Sequence, residues 1–329
     1  MGAQPRVTVY WYSQTGQLLE SVSAVTDPLE KAGWDVRKVE IRPQEPYPFP
    51  WPVRRFFGVF PASVDPDGAP GITARPPVAE DDDADLVVFA FPVWYLAPAL
   101  PMRALIDAEP QAFDGRAVIG LVACRNMWYS AALEVQRLLR AAGGRYVGTI
   151  AAVDTASAGV TFVTQLRWLL AGKREASWGF GRAGVGDDEL DRLALLGERI
   201  AELAPAQPEL APEQGEPASR SACEEALADR VRAVLAAHDA APVYHALAAA
   251  DLLAGKVFRI WGRVIRTAGR RGEAQRAALT GVFVLWLTGA VLAGLPTVVV
   301  ARVLFKAGFD AAVARRLAPV VAGLTEVRS

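Results

Sequence analysis

The sequence predicts a doubly wound α/β domain with a five-stranded parallel sheet, followed by a helical extension associated with a membrane. Three observations carry this prediction. Short apolar runs alternate with helical stretches in the first half of the chain, as in parallel sheets covered on both faces. Polar turns follow three of these runs. Near the carboxyl terminus, 25 consecutive uncharged residues stand inside a basic segment.

The apolar runs predict strands, and the stretches between them predict crossover helices. The predicted strands are Val7 to Tyr12, Val36 to Ile41, Leu86 to Phe91, Ala117 to Ala123 and Tyr146 to Val153. The predicted helices are Leu18 to Lys31, Ala99 to Ala108 and Ala131 to Ala142. Residues 1–203 are expected to form this α/β domain, whose ligands bind at the carboxyl ends of the strands beside the topological switch point.

An insert at residues 42–84 departs from a minimal sheet of this type. Its prolines and aromatic rings, with Pro46-Tyr-Pro-Phe-Pro-Trp-Pro52 at the centre, predict that it is not an ordinary helix. Three interpretations stay open: a stiff aromatic flap over the ligand edge, a polyproline partner site, or a packed surface loop.

The region after the last strand has weaker signals. Val160 to Gly172 is expected to be an apolar helix. Gly179-Phe-Gly-Arg-Ala-Gly184 has the letters of a dinucleotide fingerprint, but no strand precedes it and acidic residues follow it. We interpret it as a loop and helix cap. Residues 204–221, rich in Pro and Glu, are expected to be a linker.

The charge is distributed asymmetrically along the chain. The net charge of −1 combines an acidic body with a tail in which residues 256–329 hold 12 Lys and Arg against 3 Asp and Glu. This tail surrounds the uncharged run Ala277 to Ala301, so its composition indicates lipid as the partner and no nucleic acid. As a helix, the run would extend about 37 Å, enough for a hydrocarbon layer of roughly 30 Å.

The extension is therefore expected to contain three parts. Residues 222–276 form basic amphipathic helices suited to anionic headgroups, 277–304 form a transmembrane or re-entrant helix, and 305–329 form an amphipathic tail. Gly294-Leu295-Pro296 is where a re-entrant hairpin would turn. The positive-inside rule places the body on the cytoplasmic side of the inner membrane. A core helix buried by protein is the alternative.

The first polar turn is a candidate phosphate site. Ser13, Gln14, Thr15, Gly16 and Gln17 lie between a predicted strand and helix. Ser13 and Thr15 offer hydroxyl donors, Gly16 lets the backbone close round an anion, and the amides at the helix start point toward it.

Two further turns extend this site toward a flavin. Pro92-Val93-Trp94-Tyr95 presents large rings after the third strand, and Cys124 to Trp128 can supply backbone amides and a second ring wall. The residues singled out in this last turn are Arg125, Asn126 and Trp128. Together the three turns favour flavin mononucleotide (FMN) over a bare phosphate. No metal site is predicted.

The chain resembles a known family in these motifs. Ser13-Gln-Thr-Gly-Gln-Leu18 and Phe91-Pro-Val-Trp-Tyr95, with the helix after it, resemble the flavodoxin-like FMN reductases and NAD(P)H:quinone oxidoreductases. Flavodoxins usually have Thr or Asn at the position of Leu18, so one phosphate donor is missing here. More of the chain, including Pro46 to Trp51 and Ala123 to Trp128, is similar to flavodoxin-like proteins labelled dialkylrecorsinol (dialkylresorcinol) condensing enzyme.

The resemblance implies three functions. The first is an FMN-dependent oxidoreductase that takes hydride from NADH or NADPH and reduces a hydrophobic aromatic or quinone-like acceptor. The second is a condensing-enzyme-like protein of dialkylresorcinol or aryl-lipid biosynthesis, and the third is a flavodoxin-like electron carrier. Only Cys124, Cys223, His238 and His245 offer condensation chemistry. A flavin needs no protein nucleophile, so no catalytic residue is assigned. A homodimer is left open.

Overall fold

A computed structural model describes residues 4–65, 72, 84–154, 164, 167–176, 183–203 and 220–324, without the side chains of 220–224 and 291–296. Of the predicted linker at 204–221, residues 204–219 lie outside these residues, and 220–221 are helical. Most of the Gly179 to Gly184 motif and six residues of the predicted helix Val160 to Gly172 also lie outside them, while 164 and 167–171 are helical.

Five parallel strands form the predicted sheet. The five parallel strands are β1 Arg6–Trp11, β2 Asp35–Glu40, β3 Leu86–Trp94, β5 Ala117–Cys124 and β6 Arg145–Val153, and a sixth strand is β4 Ala97–Pro98. Their order across the sheet is β2-β1-β3-β5-β6, and the short β4 pairs antiparallel with the end of β3. This order is that of the flavodoxin-like sheet, with its switch point between β1 and β3. The predicted fold class is therefore confirmed for the α/β body.

Nine helices are named among the described residues. They are α1 Gln17–Lys31, α2 Val53–Ser63, α3 Leu100–Ala108, α4 Tyr129–Ala141, α5 Asp187–Ala201, α6 Arg220–Ala237, α7 His245–Gly269, α8 Glu273–Leu304 and α9 Lys306–Leu317. The three predicted crossover helices correspond to α1, α3 and α4, with ends that differ by no more than two residues.

Each face of the sheet has its own apolar core. On one face, Val22, Leu29 and Leu196 of α1 and α5 pack with Val231 of α6 over β1, β3 and β5. On the other face, α3 and α4 pack with Val313 and other residues of α9. The carboxyl-terminal tail therefore completes the core of the body, because its apolar side chains cover the sheet face that α3 and α4 leave open.

The insert corrects one expectation, since Val53 to Ser63 form helix α2. Pro52 precedes this helix at the N-cap, and Pro61 lies near its end, where one lost backbone bond is tolerated. The buried guanidinium of Arg103, on α3, donates to the carbonyls of Ser63 at 2.9 Å and Asp65 at 2.8 Å. This cation therefore caps the carboxyl end of α2, which stabilises a helix that contains Pro61.

Helix α7 is built into the body along one stripe. Its buried residues recur at alternating three- and four-residue steps: Ala248, Asp251, Gly255, Phe258, Gly262, Ile265 and, one turn later, Ala268. A Cβ at Gly255 would meet Ser130 Oγ at 2.6 Å, and one at Gly262 would meet Val64 Cγ2 at 2.3 Å. The glycines therefore allow α7 to contact α4 and α2 closely. Protein covers this stripe, whereas Leu253, Ile260 and Val264 elsewhere on α7 are exposed. The predicted contact of this helix with lipid headgroups is not confirmed.

Helix α8 packs beside α7 and continues unbroken through Gly294-Leu295-Pro296, so a hairpin turn at that point is not formed. Phe283 stacks on Phe60 of α2 with ring centroids 3.9 Å apart. Other side chains of α8 are exposed, including Leu285 at 76% and Val303 at 74%. No described helix combines the length and apolar character needed to cross a membrane. The predicted span is not confirmed.

Candidate functional site

A cavity of about 320 Å³ lies where β1, β3 and β5 end, beside the switch point of the sheet. Its volume falls within the roughly 300–1,000 Å³ that ligand pockets occupy. Ten predicted site residues line it: Ser13, Gln14, Thr15, Gln17, Leu18, Pro92, Val93, Trp94, Tyr95 and Arg125. Three do not: Gly16, Asn126 and Trp128.

The turn after β1 presents free hydrogen-bond donors. Gly16 is the N-cap of α1 with φ of 83°, a left-handed conformation that favours glycine, and no side chain caps the helix. The hydroxyls of Ser13 and Thr15 have no hydrogen-bond partner among the described residues. Backbone amides at an uncapped helix start carry partial positive charge, so this turn is a cradle for an anion.

The first turn of α1 also holds an acidic residue, Glu20, which by itself would repel an anion. Arg174 neutralises it through two hydrogen bonds of 2.6 Å from its guanidinium to the two carboxylate oxygens. The same guanidinium lies over the Trp168 ring, 4.9 Å from its centroid. This bidentate pair, with the cation on an aromatic face, links the segment after β6 to the cradle.

Gly184, the last residue of the glycine motif, packs against the start of α1. Its φ is 102°, and a Cβ there would meet Gln17 Nε2 at 2.3 Å and the Trp168 ring at 3.1 Å. The chain therefore passes against the start of α1 where only glycine fits. Two residues later, Gly186 is the N-cap of α5. The interpretation as a loop and helix cap is confirmed for residues 183–186.

Gln14 is oriented by the aromatic insert. Its side-chain amide donates to the Pro48 carbonyl at 2.6 Å, and its Oε1 accepts from Trp51 Nε1 at 2.9 Å. The carbonyl oxygen and one of the two N–H groups of this amide are therefore engaged. The residues Tyr47 to Trp51 are in this way fixed to the cradle.

Aromatic rings form one wall of the cavity. Trp94 contacts Tyr12, Tyr47 and Trp51 edge to face, with centroids 5.9, 4.8 and 5.7 Å apart. Trp51 lines the cavity and is almost fully buried. Its backbone amide also donates to the Leu169 carbonyl at 2.7 Å. The aromatic segment Tyr47 to Trp51 therefore packs beside the ligand edge, as in the flap interpretation.

A tight hairpin between β3 and β4 carries Tyr95 and Leu96, which both have positive φ, 52° and 63°. Two consecutive residues with positive φ form the turn that connects twisted antiparallel strands. This backbone conformation is strained for residues other than glycine. The Tyr95 hydroxyl donates to the Phe56 carbonyl at 2.6 Å, and its ring packs on Phe60 at 5.1 Å. These contacts hold the turn in its strained shape at the cavity.

The turn after β5 differs from expectation in two residues, because Asn126 and Trp128 do not line the cavity. Arg125 lines the cavity, and burial lowers the pKa of its guanidinium. Asn126 is buried beside it, and its Oδ1 has no hydrogen-bond partner. Trp128 is wholly buried in the core and stacks on Tyr129 at 4.4 Å, so the predicted second ring wall is not formed by this residue. The sequence alone could not place this ring, because an apolar ring next to a helix start can line a cavity or belong to the core.

Cys124 lies in this wall as well. Burial raises the pKa of its thiol well above the ordinary value, and the nearby Asp251 carboxyl acts in the same direction. The thiol is therefore protonated at neutral pH and a poor nucleophile. Neither His238 nor His245 lines the cavity.

Asp251 of α7 caps α4. Its two carboxylate oxygens accept from the backbone amides of Tyr129 at 3.2 Å and Ser130 at 2.9 Å. The side chain is fully buried, and burial raises its pKa to about 7. Helix α7 thus supplies the N-cap that α4 lacks from its own sequence.

Sequence reasoning missed several lining residues that come from elsewhere in the chain. They are Phe56 and Val59 of α2, Phe258 of α7, Leu169 after β6 and, in the turn after β5, Met127. Phe258 had a usable signal, because it belongs to the three-and-four stripe of α7 that requires a protein partner. Which partner that stripe contacts follows only from the structure.

The comparisons with known proteins add little. No family model and no curated protein matches the chain. Among solved structures, it is similar to a candidate flavoprotein from Bacteroides eggerthii at 14% identity and a TM-score of 0.36, over 52% of this chain and 100% of that one. A candidate flavoprotein from Bacteroides uniformis is similar at 15% identity and a TM-score of 0.34, over 51% of this chain and 98% of that one. Neither is described as a condensing enzyme. At these TM-scores, the structural similarity supports no conclusion about this chain.

Proposed function

We propose that this protein is an FMN-dependent oxidoreductase that transfers hydride from NADH or NADPH to a hydrophobic aromatic or quinone-like acceptor. One observation carries the proposal. An uncapped anion cradle at Ser13 to Gln17 opens into the same cavity as a wall of aromatic rings, at the switch point of a sheet with strand order β2-β1-β3-β5-β6.

The residues present fit FMN in three respects. The hydroxyls of Ser13 and Thr15, with the first amides of α1, suit a phosphate. Trp94 and Tyr95 offer ring surface beside it. Arg125 adds a cationic guanidinium to the cavity wall, whereas Asn126 Oδ1 beside it is buried and does not reach the cavity. When bound, FMN supplies the hydride chemistry, and the protein binds it, orients it and excludes water.

An apolar section of the same cavity suits the acceptor. Phe56, Val59, Leu96 and Phe258 line it without a charged side chain among them. Tyr95 also lies here, but its hydroxyl is already engaged with the Phe56 carbonyl and burial raises its pKa well above the ordinary value. This section therefore provides surface for an apolar ring and no ionised group for acid or base catalysis.

Condensation chemistry is less well supported than redox chemistry. The cavity has one candidate nucleophile, Cys124, and its thiol is protonated and lies beside no histidine. Hydride transfer through a cofactor needs no such group.

We further propose attachment to the cytoplasmic side of the inner membrane through the carboxyl-terminal helices. The exposed apolar side chains of α8 and the basic residues of α7 support it. The proposal is for contact with the membrane surface along the exposed face of α8.

The function is tested by anaerobic titration of the FMN-loaded protein with NADH and, separately, NADPH. We expect one of them to bleach the flavin absorption and menadione to restore it. If FMN binds but neither nucleotide bleaches it, while dithionite does, the protein is an electron carrier and the oxidoreductase proposal is wrong.

A further inference from the structure

A second cavity of about 650 Å³ lies between α4, α7 and α9, and no residue lines both this groove and the candidate site. Helix α7 separates the two, because Phe258 faces the first cavity while Lys256 and Arg259 face the groove. The groove is therefore a separate cavity and not an extension of the candidate site.

The floor of the groove is apolar. It is formed by Leu133 of α4, Ala249 and Leu252 of α7, and Phe309 and Val313 of α9. All five pack against the core on that face of the sheet, so the floor is fixed by the fold. Ser130 also lines the groove, but its hydroxyl already donates to the Asp251 carbonyl at 3.2 Å.

The rim of the groove is cationic. Arg137 of α4, Lys256 and Arg259 of α7, and Arg316 of α9 line it. None of these four forms an ion pair or hydrogen bond with another described residue. The one carboxylate in the lining, Glu134, lies 2.7 Å from the buried guanidinium of Arg103 and is neutralised by it. Four uncompensated positive charges thus surround an apolar floor, and they repel one another without an anion.

We propose that this groove binds one anionic phospholipid, with an acyl chain along the floor and the headgroup phosphate among the four cations. A free phosphate would leave the apolar floor in water, and an uncharged lipid would leave the cations unpaired. Only a ligand with both an anionic head and an apolar chain satisfies both surfaces.

The position of the groove is consistent with this occupant. Phe309 is in its floor, and Phe305, one turn earlier in the chain, is 70% exposed together with Leu304 and Val303 of α8. Leu253, on the groove wall, is also exposed. The groove is therefore continuous in sequence with the apolar surface that is proposed to rest on the membrane.

The proposal is tested by binding of the full-length protein to vesicles of phosphatidylcholine with about a third phosphatidylglycerol. The variant Arg137→Gln/Lys256→Gln/Arg316→Gln removes one exposed cation from each helix. The control Lys31→Gln/Arg140→Gln/Arg230→Gln removes the same charges from exposed positions on α1, α4 and α6, outside the groove. We expect roughly a 100-fold loss of affinity for the groove variant and a much smaller loss for the control. Equal losses, or none, would overturn the proposal.

A second measurement separates a lipid site from a bare anion site. Binding of monomeric dihexanoyl-phosphatidylglycerol is compared with that of glycerol 1-phosphate by calorimetry. We expect saturable binding of the lipid that the groove variant abolishes, and at least tenfold weaker binding of the tailless phosphate. Equal affinities would show that the floor contributes nothing. Neither measurement depends on flavin, so its failure is independent of the proposed redox function.

Discussion

We expect two hydroxyl side chains to decide how tightly the proposed cradle binds a phosphate. Ser13 and Thr15 have no described hydrogen-bond partner, so their donors are free for a ligand. In the variant Ser13→Ala/Thr15→Val, we expect FMN affinity to fall at least 100-fold, because hydrogen bonds to a charged group contribute about 1.5–3 kcal/mol each. Fluorescence titration of the apoprotein with FMN measures this.

The matched control for the cradle is Ser23→Ala/Thr267→Val, which removes the same groups from α1 and α7 outside the cavity. It should bind FMN as the parent does. Unchanged affinity in the cradle variant would mean that any flavin phosphate is held elsewhere.

Asp251 predicts a dependence of stability on pH. Burial raises its pKa in the fold to about 7, against an ordinary value of 3.8, so the folded state binds the proton more tightly than the unfolded state. The free energy of unfolding contributed by this group is therefore highest at acidic pH and falls as the pH rises through this interval, with no further change above about 8.

The variant Asp251→Asn removes this titration but keeps the size of the side chain. Urea unfolding of both proteins should give a difference in stability, parent minus variant, that decreases from pH 4 to pH 8. A difference that is independent of pH would show that Asp251 stays ionised in the fold.

Among the elements, α2 depends on one cation from another helix. The guanidinium of Arg103 is 1% exposed, caps α2 through Ser63 and Asp65, and pairs with Glu134. Replacing it by methionine leaves a buried carboxylate and free carbonyls, which costs about 3–5 kcal/mol of unfolding free energy. Chemical denaturation measures the loss. Arg140→Met, at an exposed position of α4, should change stability by no more than about 0.5 kcal/mol. Comparable losses of unfolding free energy in both variants would contradict the capping role of Arg103.

The elements also show how far sequence reasoning reaches. Runs such as Leu86 to Phe91 and Val118 to Val122 are apolar throughout, so their pairing as central strands could be predicted. Helix α2 could not, because its proline-rich sequence disfavours a helix locally and Arg103, 40 residues away, provides its cap. Local propensity is overridden here by a tertiary contact.

The same limit applies to the site. The cradle and Trp94 could be predicted, because each follows a strand at the ligand edge of the sheet. Trp128 does not line the cavity, since neighbours in sequence can point to opposite sides of a helix start. Phe258 could not be assigned at all, because the partner of its helix is fixed by long-range packing against Val64 and Ser130.

At the scale of the whole molecule, the carboxyl-terminal helices are part of the candidate site. Phe258 lines its apolar section and packs on Phe60 and Phe283 at 5.6 and 5.7 Å. With Phe258→Ala, we expect KM for menadione to rise about tenfold, from lost apolar contact. Reduction of ferricyanide, which needs no apolar surface, should be unchanged.

Ile260→Ala serves as the control on the same helix, since Ile260 is exposed and lies outside both cavities. It should leave both KM values as they are. If Phe258→Ala affected the two acceptors equally, the ring would support the fold and not the acceptor.

The central claim is that the cavity at the ends of β1, β3 and β5 holds FMN. The most direct test is the visible absorption spectrum of the full-length protein purified in mild detergent, followed by denaturation and identification of any released chromophore. The account predicts a flavin spectrum and one FMN per chain, or stoichiometric uptake of added FMN by a colourless preparation. A colourless protein that takes up no FMN would contradict it, and the missing donor at Leu18 would then be the first residue to examine.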